Sequence, residues 1–415
     1  MNIKEITHCT LLSLFIFCNL PADLPIGTTH TSKAVTIQND GKIVVAGFAN
    51  ICNVQQIFLA RYDTNGTLDT TFNTTGYVTD PLGTVSEATS VTIQPVDNNI
   101  VITGYSDTML LVQRYTPSGT LDTTFSSDGI ITEPINIQTI GHSIRMQSTN
   151  ILIGGETTNN TTEFLLTRYD SSGTLDTTFG TSGITTTAIG DGATVNGLGF
   201  QSDGKIIAAG SAILNGTPAF ALARYSANGI LDATFGTAGI TTTILSGTVS
   251  SEISNVVIDA SDRIIVAGKA VMNGIPWFTI ARYTPSGTLD ATFGTSSGYT
   301  VIATNGQATN VALQSDGKII ATGFSESEII IARFDVNGIP DATFGSGGTR
   351  VTQAGTDMSG AYGLALQIND QAVIAGFADD LNMVARYTTG GVLDETFGSA
   401  GITSEPLPSI IVACT

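Results

Sequence analysis

Charge is scarce in this 415-residue chain: Asp, Glu, Lys and Arg together make up 12%, about half the usual share. Basic residues are the scarcest, with 16 Lys and Arg against 35 Asp and Glu, for a net charge of −19. Seven of the 16 belong to a repeated phrase, and Lys42, Lys205, Arg263 and Lys318 share one recurring turn. Lys4, Lys33, Arg145, Lys269 and Arg350 remain, too scattered along the chain to form a basic stripe. Neither nucleic acid nor an anionic membrane surface is therefore an expected partner.

Other absences narrow the choices. There are four cysteines, Cys9, Cys18, Cys52 and Cys414, without the spacing of a zinc site or a disulfide framework. The three histidines, His8, His30 and His142, are dispersed. No stretch shows helical periodicity. None is apolar for long enough to span a bilayer as a helix, so no transmembrane segment is expected. The short apolar run from Leu11 suits a signal peptide over residues 1–22, although Glu5 and Leu20 fit that pattern poorly. Motifs for zinc hydrolysis, a serine nucleophile elbow and a phosphate-cradling loop are all missing. The sequence thus assigns no catalytic residue, no metal ligand and no cofactor.

What is abundant is Gly, at 46 residues, together with Thr, Val and Ile, as in a β-protein with many tight turns. "RYDTNGTLDTTFNTTG", residues 61–76, is the first of seven related phrases, which begin at Arg61, Arg114, Arg168, Arg224, Arg282, Arg333 and Arg386. The period of about 54 residues signals a solenoid, a propeller or an array. Gly, Asp and Phe recur at fixed offsets within each phrase: Gly66, Asp69 and Phe72 in the first, Gly391, Asp394 and Phe397 in the last.

Upstream, "VALQSDGKIIATGFSESEIIIARFD" (311–335) reads as strand, tight turn, strand, variable loop, strand. The second and third strands are apolar at nearly every residue, so both faces of the sheet are covered. Small sheets covered on both faces and repeated seven times predict an all-β, seven-bladed β-propeller of four-stranded antiparallel blades over 32–405, with 406–415 as a tail. An open solenoid would need polar end caps, and the end units look like the middle ones. Ring closure would bring Cys414 toward Cys52.

The R-[YF] of the third strand, the G-x-L-D-x-T-F-G after it and the D-G-K before it resemble the Delta-60 repeat, a bacterial family regarded as a β-propeller of unknown function. The resemblance spans nearly the whole repeat region and implies a fold but no activity. It departs locally, at "VDNNI" in unit two, "QSTNI" in unit three and Pro340 in unit six.

The repeated Arg and Asp are expected to form a scaffold pair, and the Phe a wedge between blades, because a residue present in every unit serves the ring. "DTNGTLD", "DSSGTLD" and "DVNGIPD" have oxygen ligands at alternate positions, as calcium loops do, but lack the closing Glu. Glu87, Glu133, Glu156, Glu252 and Asp357 are assigned to variable loops, where two could converge for acid–base work on a sugar. The segment after the second strand differs in every unit: "FANICNVQQ", "ETTNNTTE", "SAILNGTPA", "KAVMNGIPW". Binding of a protein or glycan is expected on that variable rim, near Trp277 and Met272. The functional expectation is a secreted or surface, monomeric binding scaffold. A hydrolytic propeller enzyme and a purely structural element are the alternatives.

Overall fold

The computed structural model describes residues 29–404; the expected signal peptide, the tail and Cys414 lie outside them. Those residues form 27 β-strands and no helix, so none of their helices is long and apolar enough to cross a membrane. The first unit sets the pattern. Strands β1 (Thr29–Ile37), β2 (Ile43–Ile51), β3 (Val54–Tyr62) and β4 (Tyr77–Asp80) form an antiparallel sheet in chain order. Val44, Val45, Ala46, Phe58, Leu59 and Ala60 are fully buried, which the unbroken apolar runs of β2 and β3 require.

Five sheets have four strands, and one has seven. The expectation of separate four-stranded sheets therefore fails in one place, and the cause is local. The strand Tyr299–Leu313 pairs through Tyr299–Asn305 with the third strand of unit five. It continues through Gly306–Leu313 as the first strand of unit six. Elsewhere a short connection separates those two roles, as Pro81–Val85 does between units one and two.

Apolar residues between the sheets fall into seven clusters, each built from two adjacent units. One of them joins Val35, Val45 and Phe58 of the first unit to Val373, Val384 and Phe397 of the last. Each fully buried Val, Leu, Ile or Phe contributes roughly 1.5–3 kcal/mol, so every sheet depends on both neighbours.

The repeated phrase welds these contacts. In every unit the Arg bonds to the Asp eight residues on, as in Arg61 Nε to Asp69 Oδ2 at 2.9 Å and Arg282 Nε to Asp290 Oδ2 at 2.8 Å. Its guanidinium carbon lies over the Phe ring, 4.6 Å from the centroid for Arg282 and Phe293 and 5.0 Å for Arg224 and Phe235. Nη1 then reaches a carbonyl oxygen in the turn of the next unit, Pro285 for Arg224 and Val336 for Arg282, both at 2.7 Å. The Phe lies against the next unit's Gly: a Cβ on Gly119 would meet Phe72, and one on Gly66 would meet Phe397. Those glycines also hold positive φ, +89° and +87°, so two demands select Gly there. The Asp takes the Thr two residues on, hydroxyl and amide together, as Asp290 Oδ1 does from Thr292 at 2.6 and 3.1 Å. Arg, Asp and Phe are the scaffold the sequence predicted.

Cys52 is disulfide-bonded, its partner lying outside the described residues.

Candidate functional site

A further glycine repeats in every unit, and the sequence reading gave it no role. Gly47, Gly104, Gly155, Gly210, Gly268, Gly323 and Gly376 each sit late in the second strand of a unit. A methyl group there would lie 1.8–2.0 Å from a first-strand carbonyl oxygen, for example that of Thr194 at Gly210 or Glu252 at Gly268. The close approach accompanies a β-bulge in the first strand. Register slips by one residue at Lys33, Thr89, His142, Asn196, Ser254, Thr309 and Tyr362. A bulge places an extra side chain out of the regular alternation and re-aims it. All seven of these residues line one cavity of about 590 Å³, to which the first strand of every unit contributes.

The bulge residues vary among the units, with only Thr occurring twice, unlike the frame around them. Three still serve the frame: Thr89 donates to the Gly141 carbonyl, Asn196 to that of Ile253 at 2.7 Å, and Thr309 to that of Ala361 at 2.8 Å. Lys33, His142 and Tyr362 are larger and carry charge or an aromatic face. Beyond the bulges, toward the second-to-third-strand turns, lies a tier of cross-strand pairs. These are Thr31–Phe48, Glu87–Tyr105, Ile140–Glu156, Thr194–Ser211, Glu252–Lys269, Gln307–Phe324 and Gly360–Phe377.

This tier is chemically lopsided. On one side Lys33 Nζ stands 4.2 Å from the Tyr362 ring centroid and 5.6 Å from that of Phe48, while Tyr362 packs on Phe324 and Phe377. Next to it Glu87 lies 3.7 Å from Lys33 and accepts from Gln55 and from the Tyr105 hydroxyl, both at 3.1 Å. Burial, reinforced by the Glu87 charge, pushes the Tyr105 phenol up. Further round, Glu156 takes a hydrogen bond from Thr194 and lies 3.8 Å from His142 Nε2. The imidazole, against an opposing push from burial, lowers the Glu156 carboxyl, with help from the Thr194 hydroxyl. Lys269 and Glu252 pair at 3.2 Å.

These placements correct several expectations. Glu87, Glu156 and Glu252 stand on strands rather than on loops, and Glu87 and Glu252 line the cavity itself. Glu133 ends an outer strand, and only Asp357 is on a connection. Of the leftover cations, Lys4 lies outside the described residues, and three of the other four stand at or beside the cavity. Lys33 and Arg145 line the cavity and Lys269 pairs with one of its acids, while Arg350 sits on an outer strand. The variable segments are mostly strand as well. "SAILNGTPA" is a hairpin whose turn is Asn215 and Gly216, both at positive φ, and Asn273–Gly274 repeats it. Trp277 is on the following strand, its indole N–H buried without a partner. The calcium-like loops spend their carboxylates on the backbone: Asp63 Oδ1 accepts the amides of Asn65 and Thr67 at 3.1 and 2.9 Å. Among the described residues, no three His, Cys, Asp or Glu group as a metal site.

A family model described as "Domain of unknown function (DUF5122) beta-propeller" matches residues 38–72, 97–125, 147–179, 201–235, 260–293 and 314–344. The repeat is thus similar to that of a β-propeller family. No curated protein matches the chain. Among solved structures, the Dos1 propeller is similar at 10% identity and a TM-score of 0.49, with 87% of this chain and 82% of that one covered. YCF48 bound to D1 peptide is similar at 12% identity and 0.48, covering 88% and 94%. Sqt1 from Chaetomium thermophilum is similar at 11% and 0.48, covering 88% and 83%.

Proposed function

We propose that this chain is a seven-bladed propeller of that repeat family, kin to the Delta-60 repeat, and that it binds a small polar ligand in its central cavity without transforming it. Seven inter-unit clusters and the contact of the last unit with the first support the blade count. The observation that carries the binding reading is the division of residues. Arg, Asp, Gly and Phe repeat and are spent on the frame. Among the residues facing the cavity, Lys33, His142, Arg145 and Tyr362 each occur at their position in one unit only. A rigid frame that presents unlike side chains to one concavity is how ligand sites are built.

The ligand is a saccharide end rather than a protein face. A concavity of about 590 Å³ walled by hydroxyls, amides and an aromatic corner suits a sugar ring with its many hydrogen-bonding groups. The enzymatic alternative needs a carboxylic acid held protonated near neutral pH. Glu156, beside the lining residue His142 rather than in the cavity wall, is moved the other way. We place the protein outside the cytosol and as a monomer, with the disulfide at Cys52 as support for export.

A saccharide-array screen of the wild type beside Ser254→Trp tests this reading. Ser254 is a bulge residue of the cavity wall, and an indole there fills the space. Glycan binding is expected in the wild type, lost in the plugged variant and retained in a variant of the Asn215–Gly216 turn. Glycan binding that survives the plug contradicts the proposal.

A further inference from the structure

Three residues beyond each bulge lies another tier of the first strand, on the face shared with the residue after the bulge. In six units it holds Thr36, Thr92, Gly199, Val257, Ala312 and Ala365, all small or neutral. In unit three it holds Arg145, opposite Leu152. This guanidinium lines the cavity. Among the described residues it forms no ion pair, and its one hydrogen bond is a long one, 3.4 Å to the neighbouring Ile144 carbonyl. Every other Arg of the described chain except Arg350 is paired with a carboxylate. No neighbour in the tier of Arg145 is able to neutralise it. The acids of the cavity, Glu87 and Glu252, stand on the far side of the bulges, five residues further back on their strands.

The residues just after the bulges are Ser90, Ser143, Asn255 and Asn310 where they are polar, and all four line the same space. They donate or accept hydrogen bonds without adding charge. Protein crowds Arg145 from every side, and this burial disfavours its cation. A guanidinium nevertheless stays charged in proteins. What this guanidinium lacks is a local carboxylate at hydrogen-bonding distance, which every phrase Arg of the frame has.

We propose that Arg145 is the anion subsite of this cavity and that the inserted end of the ligand carries a carboxylate, as a uronic acid does. This rests on the cavity being the ligand site. The carboxylate lies against the planar fork of Arg145, in the two-bond geometry that a guanidinium offers and an ammonium does not. The sugar hydroxyls meet the Ser and Asn tier, and the rest of the chain extends past the bulges toward Lys33 and Tyr362.

The test is an NMR titration that follows the Arg145 Nε–H resonance in the full chain, with D-glucuronate, methyl glucoside and inorganic phosphate as separate probes. D-glucuronate is expected to shift that resonance saturably, and methyl glucoside at least tenfold more weakly. Arg145→Gln is expected to weaken glucuronate at least tenfold, and Arg145→Lys to restore part of it. The wild-type titration stands alone if the Gln variant does not fold. A response to phosphate but not glucuronate overturns the carboxylate assignment. Equal binding of glucuronate and methyl glucoside, unchanged in Arg145→Gln, overturns the anion subsite while leaving the cavity as a sugar site. No response to any probe overturns the inference, and the saccharide array then judges the cavity reading separately.

Discussion

Arg386 donates through Nη1 to the carbonyl oxygen of Thr64 at 2.5 Å, a contact between residues 322 positions apart in the chain. It is the same bond that Arg224 makes to Pro285 in the neighbouring unit. Around it, Gly398 N–H donates to the Asn65 carbonyl at 2.7 Å and Ser32 Oγ to Asn382 Oδ1 at 2.6 Å. The final unit therefore treats the first as its successor.

That equivalence predicts equal energetics. Arg386→Met should cost what Arg168→Met costs, about 3 kcal/mol or more, because each leaves a largely buried Asp without its partner. Urea denaturation measures both. If Arg386→Met costs less than about 1 kcal/mol while Arg168→Met costs several, the seam between last and first units is not a full interface.

The glycine behind each bulge predicts a sharp steric response. Gly268→Ala puts a methyl 2.0 Å from the Glu252 carbonyl oxygen, which only backbone movement relieves. Loss of about 2–3 kcal/mol is expected, by analogy with overpacked cores. Gly216→Ala, in the open hairpin turn where nothing lies within 4 Å, should cost about 1 kcal/mol, from its positive φ alone. Thermal unfolding of the pair distinguishes a crowded bulge from a tolerant strand.

Acid should unfold the protein through the repeated aspartates. For Asp176, Asp232, Asp341 and Asp394 the hydroxyl of the Thr two residues on is the largest influence, and it lowers the carboxyl. For Asp69, Asp122 and Asp290 partial burial is largest and pushes upward, but the Thr bonds and the Arg together outweigh it. All seven are lower in the fold than in the unfolded chain. Asp379, bonded by the amides of Thr356, Asp357 and Met358, falls to about 2. Depressed carboxylates stabilise above their unfolded pKa and lose that stabilisation as pH falls through the folded value. Stability should hold from neutrality to about pH 5 and decline steadily below about pH 4. Thr343→Val, which removes one such hydroxyl, should lower stability at neutral pH and make the acid decline shallower. A denaturation free energy that is flat down to pH 2 would contradict this.

The frame was legible in the sequence because its residues recur at fixed offsets from Arg, and each offset has a physical reason, such as the eight residues that bring Asp69 back beside Arg61. The cavity was not. Its Gly marker lies on the far side of a hairpin whose length varies, so Gly47 and Gly104 stand at different distances from Arg61 and Arg114. A bulge is a property of register between two strands, and register is invisible in one strand's residues. The variable segments drew attention to the rim, yet their first residues, Phe48, Glu156, Ser211 and Lys269, already belong to the strand tier around the cavity. The Asn-Gly pairs at 215–216 and 273–274 announced tight hairpins rather than loops. Counting the leftover cations was sound, but the sequence does not show that Lys33 and Arg145 line one cavity.

The division between residues that hold the ring and residues that face the ligand is tested most directly by the unfolding free energy of Arg145→Ala set beside that of Arg282→Ala. Arg282 is 2% exposed, paired with Asp290 and stacked on Phe293, and its loss should cost about 3–5 kcal/mol. Arg145 has no counter-ion among the described residues, so its loss should leave stability within about 0.5 kcal/mol or raise it, as for residues kept for function. Equal and large losses in both variants would contradict the account, since Arg145 would then be part of the frame.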